Sequence, residues 1–186
     1  VRAFWADMEQ TEHVVSFNGH TFDLPVLELE AYELGIPLKK WYKRGAQWET
    51  TRSRYYLGTH DLMELYGNFG GHMMAGGLDA MAKRIGCPGK MGMDGSKVWG
   101  AYKDGKIAEI ADYGQCDALD TYWVFIRYMV NCGELTLARE RVLRESFIKG
   151  VRSSLKPSPA MLEYVSKLQL PSADIDQPAL AVGQAK

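Results

Sequence analysis

The spacing of hydrophobic residues near the start of the chain predicts a helix followed by a buried strand. Val1, Phe4, Trp5 and Met8 recur at helical intervals. The next apolar run, HVVSFN at 13–18, is short and rich in β-branched residues, which is typical of a strand buried in a sheet. The chain therefore opens with a helix that leads into a strand.

A second helix is predicted over LPVLELEAYELG, residues 24–35. Pro25 suits the first turn of a helix, and Gly35 with Pro37 just beyond it is a typical end. Later patterns predict a short strand running into a turn at 59–67, a short helix at 77–86, one short and one long helix within 98–133, and a helix from Leu135 to about Lys149. The pattern thus contains both helices and short strands.

The composition changes near the end of the chain. Prolines stand at positions 157, 159, 171 and 178, and the last residues are small and polar. We therefore predict a main domain over 1–133, a helical extension over 134–156 and a flexible tail over 157–186.

The overall composition excludes several classes of protein. With 46% hydrophobic residues the chain can bury a core, and 22 Lys+Arg against 23 Asp+Glu leave no domain-wide basic field, so any nucleic-acid contact must be local. The three cysteines have no CxxC spacing and the four histidines no metal-ligand spacing, which argues against a disulfide framework, a zinc site and a histidine metal site. No apolar run is long enough for a membrane span. We expect a cytoplasmic protein with no membrane partner.

One local segment has the composition of a nucleic-acid contact. Residues 39–56 interleave tryptophans and tyrosines with lysines and arginines, and single-stranded nucleic acids stack their bases on aromatic rings while basic groups meet their phosphates. A loop that folds its own aromatic side chains inward would have the same composition. The sequence leaves these two interpretations open.

Two segments place carboxylates where they could do chemistry. Asp23 follows the first strand and precedes Leu24-Pro25, where it could hold a cation or cap the helix. Tyr113 and Asp117 are four residues apart, so they share one face of the long helix and could hold a cation and orient a water, or form a solvated pair. Neither segment decides between these alternatives alone.

Together these segments resemble a known family. SFNGHTFDLPVLELEAYELGIP (16–37) looks like the second motif, and DYGQCDALDTYWVFIRY (112–128) like the Y-x-x-x-D third motif, of the DEDDy group of 3′-5′ exonucleases. The closest resemblance is to predicted exonucleases related to the exonuclease domain of family B DNA polymerases. Counterparts of three further family segments lie at Thr59–Leu65, Gly77–Gly86 and Pro88–Trp99, so the resemblance covers roughly residues 1–132.

The resemblance implies a fold and an activity. The fold class would be α/β, with a ribonuclease H-like mixed sheet flanked by helices. Residues 1–133 would be the C-terminal part of the exonuclease domain, and a helical C-terminal extension would follow. The activity would be metal-dependent removal of nucleotides from 3′ ends, with two Mg²⁺ or Mn²⁺ ions held by four carboxylates. Single-stranded DNA 3′ ends are the expected substrate, with RNA as an alternative, in replication or repair beside a polymerase or another replication partner.

The family pattern also implies residue roles. Asp23 and Asp117 would be metal ligands, and Tyr113 would orient the attacking water. Asn18 would shape the end of the strand, Phe22 would pack near the terminal nucleotide, and both would belong to the substrate-binding part of the site. Asp61 could lie near the same groove or be an ordinary polar residue at a strand end.

The sequence departs from the family pattern at its first motif. In the family an Asp-x-Glu on a central strand, well before the second motif, supplies two more ligands, and we expect that the chain starts too late to include it. Asp7-Met8-Glu9 has the right letters but lies in a helical pattern, which indicates a solvated helix face. We therefore expect an N-terminally truncated domain that binds metal weakly and cleaves slowly, if at all. A non-catalytic nucleic-acid-binding or interaction module of the same fold is the alternative function.

Overall fold

The described residues form eight helices and two short strands, and both strands lie in the first third of the chain. A computed structural model describes residues 1–43, 51–54, 58–72 and 75–172. In chain order the elements are α1 (Arg2–Gln10), β1 (Val14–Ser16), α2 (Asp23–Glu33), β2 (Thr59–Asp61), α3 (Leu62–Tyr66), α4 (Gly77–Arg84), α5 (Gly95–Lys103), α6 (Ile107–Asn131), α7 (Leu137–Ser153) and α8 (Pro159–Lys167). The predicted α/β class is confirmed, with helices in the majority.

The two strands pair in parallel and have helices on both faces. Val14 lies opposite Thr59, and Ser16 lies opposite Asp61. Because side chains alternate along a strand, Val14 packs into one hydrophobic cluster whereas Val15 and Phe17 pack into another. The larger mixed sheet of a ribonuclease H-like fold remains a prediction.

The larger cluster is built around α6. Trp123, Val124 and Ile126 of this helix are buried, and Ala82 of α4 and Tyr164 of α8 pack against the same cluster. An apolar stripe along the long amphipathic helix provides the surface on which the shorter helices assemble.

The smaller cluster joins α1 to α2 on the other face of β1. Trp5 and Met8 of α1 pack with Leu24 and Ala31 of α2 and with Trp41. The indole N–H of Trp5 also donates a hydrogen bond of 3.1 Å to the backbone carbonyl of Leu27 in α2. These contacts fix the position of α2 relative to the sheet.

The strand predicted at the start of 59–67 is confirmed at Thr59–Asp61, but a helix follows it where a turn was predicted. The predicted tail is wrong for its described part, and residues 173–186 lie outside the described residues. The strand ends at Asp61, whose carboxylate accepts a hydrogen bond from the backbone N–H of Met63 and so caps the short helix α3. The tail predicted over 157–186 contains α8, in which Ser158 is the N-cap and Pro159 occupies the first turn, where proline favours a helix. Burial of Tyr164 and Val165 against the core keeps this helix in place.

Among the helices formed by the described residues, none is both long enough and apolar enough to cross a membrane.

Candidate active site

The turn between β1 and α2 presents Asp23 at the start of a helix. Asn18 has a left-handed backbone, with φ of 66°, and Phe22 is the residue that precedes the first helical turn. Asp23 is the first residue of α2. Its carboxylate lies beside the helix N-terminus, where the helix dipole favours negative charge. Phe22 rather than Asp23 occupies the N-cap position, so the structure does not support the interpretation of Asp23 as the N-cap of this helix.

Helix α6 supplies the other two candidate residues. Tyr113 and Asp117 are separated by about one turn and lie half-buried on the same face of the helix. Apolar residues further along α6 are buried in the larger cluster, so the core holds this helix face in a fixed orientation.

Asp23 and Asp117 line the same cavity. This cavity, of about 400 Å³, lies between β1, the start of α2 and the middle of α6, and its apolar walls include Phe4, Val15 and Leu78. The fold thus brings together two carboxylates that are far apart in the sequence. Both are presented by a sheet and helices that are themselves anchored in the core.

The surroundings of Asp23 disfavour an unneutralised negative charge. Burial raises the pKa of Asp23, a backbone hydrogen bond lowers it, and the negative charge of Asp61 raises it further. The net direction is upward. A cation in this cavity would therefore interact favourably with the carboxylate of Asp23.

Tyr113 keeps its proton at neutral pH. Burial raises the pKa of its phenol to about 12, and the carboxylates of Asp117 and Asp94 contribute to the rise. Its side chain lines a neighbouring cavity of about 630 Å³ along α5 rather than the one that holds Asp23. Tyr113 can donate a hydrogen bond towards Asp117, but it cannot act as a base under these conditions.

The two residues predicted to contact substrate lie beside Asp23. Phe22 is 66% exposed, so its ring is free to meet a ligand. The backbone N–H of Asn18 donates to Asp61 at 2.8 Å, and its side-chain carbonyl accepts from the hydroxyl of Thr21. Asn18 does lie at the end of β1, while its contact with substrate, and that of Phe22, stay predictions.

A polar cluster that the sequence did not indicate lies behind this turn. One ligand atom from each of His20, Asp61 and Glu64 falls within 4.8 Å of the others. The sequence spacing of histidines could not reveal it, because the two carboxylates come from a different part of the chain. A D-x-x-E pattern over 61–64, typical of a helix capping box, was the one available signal.

Asp7 and Glu9 lie on α1, not on a strand. Both side chains are exposed, and neither lines the cavity that holds Asp23 and Asp117. A carboxylate oxygen of Glu9 instead accepts a hydrogen bond of 3.0 Å from the backbone N–H of Lys40. This arrangement agrees with the interpretation of a solvated helix face.

The described part of the aromatic and basic segment folds against the protein. Trp41 is buried and its indole N–H donates to Glu28, while Arg52 pairs with the same Glu28 at 2.7 Å and Arg54 pairs with Glu64. Residues 44–50 and 55–57, which include Trp48, Tyr55 and Tyr56, lie outside the described residues. The described contacts favour the inward-folding interpretation for Trp41 and do not test nucleic-acid binding.

Comparison with protein families identifies the family of the chain. The family model described as a predicted 3′-5′ exonuclease related to the exonuclease domain of PolB matches residues 1–168. The chain belongs to this family. No curated protein and no solved structure matches it.

Membership of this exonuclease family confirms the resemblance and extends it. The match continues past residue 132, where the resemblance in the sequence ended, and includes α7 and α8. The two C-terminal helices are therefore shared with the family.

Proposed function

We propose that the chain is a metal-dependent 3′-5′ exonuclease of the DEDDy type, with a ribonuclease H-like fold. The observation that carries this proposal is the shared cavity of Asp23 and Asp117, with Tyr113 one helical turn away from Asp117. The proposed substrate is the 3′ end of single-stranded DNA, with RNA as the alternative, and the proposed setting is replication or repair beside a polymerase.

The residues of the cavity fit a hard divalent cation. Asp23 and Asp117 offer carboxylate oxygens, which Mg²⁺ and Mn²⁺ prefer. The raised pKa of Asp23 indicates a carboxylate that a nearby positive charge would stabilise. When bound, two such ions lower the pKa of the attacking water and stabilise the leaving 3′-oxygen.

The chain's own residues would divide the remaining work. Asp23 and Asp117 would hold the ions, and the protonated Tyr113 would donate a hydrogen bond that orients the water. Exposed Phe22, next to Asp23, would stack on the terminal base. Apolar walls such as those from Leu27 and Leu78 would keep bulk water away and strengthen the electrostatic interactions of the cavity.

Two carboxylates are half of the set that this class of exonuclease uses. A third carboxylate nearby, Asp61, is already hydrogen-bonded to backbone N–H groups. We therefore expect this chain to bind divalent ions weakly and to cleave slowly. This same observation favours the alternative function, a non-catalytic nucleic-acid-binding or interaction module of the same fold.

The test is digestion of a single-stranded DNA carrying a 5′ label, in Mg²⁺ and in Mn²⁺. We expect slow shortening from the 3′ end that EDTA abolishes and that Asp117→Ala and Asp23→Ala each abolish. Glu33→Ala, which removes an exposed carboxylate at the other end of α2, is the matched control and should retain the activity.

Two outcomes separate the exonuclease from the non-catalytic module, and a third tests the assignment of the site. Metal-dependent shortening lost in Asp117→Ala supports the exonuclease. DNA binding with no shortening in either metal favours the non-catalytic module. Full activity of the folded Asp117→Ala or Asp23→Ala variant would contradict the assignment of the site.

A further inference from the structure

Asp61 is a buried carboxylate whose partners are backbone N–H groups. It ends β2 and is 2% exposed. One oxygen accepts hydrogen bonds from the N–H of Asn18 at 2.8 Å and of Met63 at 3.1 Å, and the other accepts from the N–H of His20 at 2.9 Å. A buried charge is tolerated only when it is hydrogen-bonded in this way.

Two of these three donors belong to the turn that leads to Asp23. Asn18 holds a left-handed φ of 66°, a conformation that is costly for a residue with a side chain. At Gly19, a Cβ atom would lie 2.5 Å from the Cβ and Oγ of Ser16, so the turn folds back tightly against the end of β1. Such a turn needs contacts from elsewhere to persist, and Asp61 supplies them.

The side chain of His20 adds a second contact that holds the same turn in place. Its Nδ1 lies 2.7 Å from a carboxylate oxygen of Glu64, and Arg54 pairs with the other oxygen of Glu64. The oxygens of both carboxylates are thus engaged by protein donors, and the cation beside Glu64 is an arginine. The carboxylate oxygens of Asp61 and Glu64 and the Nδ1 of His20 therefore hold the turn in place, and of the ligand atoms in this described cluster only Nε2 of His20 has no hydrogen-bond partner.

We propose that Asp61 is a positioning residue for the candidate active site. By binding the backbone of Asn18 and His20, it fixes the turn so that α2 begins where Asp23 faces the cavity shared with Asp117. Asp61 touches neither substrate nor metal in this role. The proposal rests on the proposed function, because it assigns Asp61 to the placement of a metal ligand.

Asp61→Asn tests the proposal, since the amide keeps the shape but replaces one acceptor oxygen with a donor. We expect a folded protein whose α6 and α8 signals in NMR spectra are unchanged. The amides of Asn18 and His20 should exchange hydrogen at least ten times faster than in the wild type, and the backbone shifts of Asp23 and Leu24 should change.

A metal titration adds a functional readout. Mn²⁺ broadens NMR signals near its binding site, and we expect broadening around Asp23 and Asp117 that needs at least three times more Mn²⁺ in Asp61→Asn. Glu33→Gln is the matched control, because it makes the same carboxylate-to-amide change at an exposed position of α2 and leaves the three bonds of Asp61 and the contacts of His20 intact. It should resemble the wild type at the Asn18 amide and in the titration.

The outcomes keep the two proposals apart. Unchanged shifts at Asp23, or exchange that is faster throughout the protein to the same extent, would show that Asp61 is merely structural and overturn the proposal. If the wild type shows no Mn²⁺ broadening, the proposed function fails, while the shifts and exchange still decide whether Asp61 places Asp23. If Asp61→Asn does not fold, Asn18→Ala is the second variant, because alanine adopts the left-handed backbone conformation of residue 18 less readily than asparagine. The same measurements apply to it, with the same expected results.

Discussion

Tyr113 and Asp117 share a face of α6 but are expected to contribute differently. Asp117 lines the cavity with Asp23 and would hold an ion, whereas Tyr113 opens towards the neighbouring cavity and stays protonated, because burial and the adjacent carboxylates raise its pKa to about 12. A group that only orients a water is worth less to the rate than a metal ligand.

We predict that Tyr113→Phe slows 3′-5′ cleavage by roughly ten- to a hundred-fold, whereas Asp117→Ala reduces it to background. Because Tyr113 gains no charge below pH 10, the profile of rate against pH from 6 to 9 should have the same shape in the wild type and in Tyr113→Phe. The measurement is the initial rate of shortening of a labelled single strand. A profile that loses a basic limb in the variant would mean that Tyr113 acts as a base.

At the scale of single residues, the sequence was informative where chemistry follows from a motif. Asp23, Tyr113 and Asp117 could be named because their order and neighbours resemble a family that the match over residues 1–168 confirms. The role of Asp61 could not be named, because it depends on the backbone of residues 18–20, which only the folded chain brings near. Motifs report side chains that act together, but they do not report which backbone groups a carboxylate meets.

The helices around α6 are joined by buried polar contacts as well as by apolar packing. Glu140 of α7 pairs with Arg127 of α6 at 2.6 Å and with Arg144 at 2.7 Å. The hydroxyl of Tyr164 in α8 donates to the buried carboxylate of Asp120 in α6 at 2.7 Å. These contacts fix the register between α6 and its neighbours, because a shifted helix would leave buried charges unpaired.

The contact between α6 and α8 gives a prediction about pH. Burial raises the pKa of Asp120 to about 6, although the hydrogen bond from Tyr164 opposes this rise. Asp120 thus holds its proton more tightly in the folded protein than in the unfolded chain, where its pKa is near 3.8, the ordinary value of an aspartate. Its contribution to stability is therefore fully present below pH 4 and is lost as the pH rises through 6.

We expect this loss to lower the free energy of unfolding by about 3 kcal/mol, since each pKa unit corresponds to about 1.4 kcal/mol. Urea unfolding of the wild type and of Asp120→Asn between pH 4 and 7 measures it, and the difference between the two proteins should change across this range. Asp104→Asn, at an exposed position, is the control and should follow the wild type. Parallel curves for the wild type and Asp120→Asn would contradict the assignment of the pKa to Asp120.

At the scale of elements, local signals predicted some structures and missed others. Helix α2 was predicted because Pro25 and Gly35 mark its ends within its own sequence. Helix α3 was missed because five residues carry little periodicity and the helix depends on capping by Asp61. Helix α8 was missed because the prolines around it suggested a loose chain, while its stability comes from distant residues of α6.

The whole molecule depends on α8 in a way that its position near the C-terminus does not suggest. Tyr164, Val165 and Leu168 are buried, and the backbone N–H of Gln169 bonds to the carbonyl of Gly86 at 2.8 Å. The side chain of Arg144 also donates to the carbonyl of Gln169 at 2.6 Å. Helix α8 and the residues after it thus close the larger cluster against α4, α6 and α7.

We predict that truncation after Lys156 prevents cooperative folding. Loss of three buried apolar side chains removes about 5–9 kcal/mol of burial, which is comparable with the roughly 5–15 kcal/mol by which native domains are stable. The carboxylate of Asp120 would also lose its hydrogen bond from Tyr164.

Truncation after Ser172 retains every one of these contacts and is the matched control. Its free energy of unfolding is expected to lie within about 1 kcal/mol of the wild-type value. Denaturant unfolding followed by tryptophan fluorescence reports the change, because Trp123 lies in this cluster. If the chain truncated after Lys156 unfolded cooperatively at the wild-type midpoint, α8 would add nothing to the stability of the core. The packing of the remaining helices against α6 would then have to account for the stability of the protein.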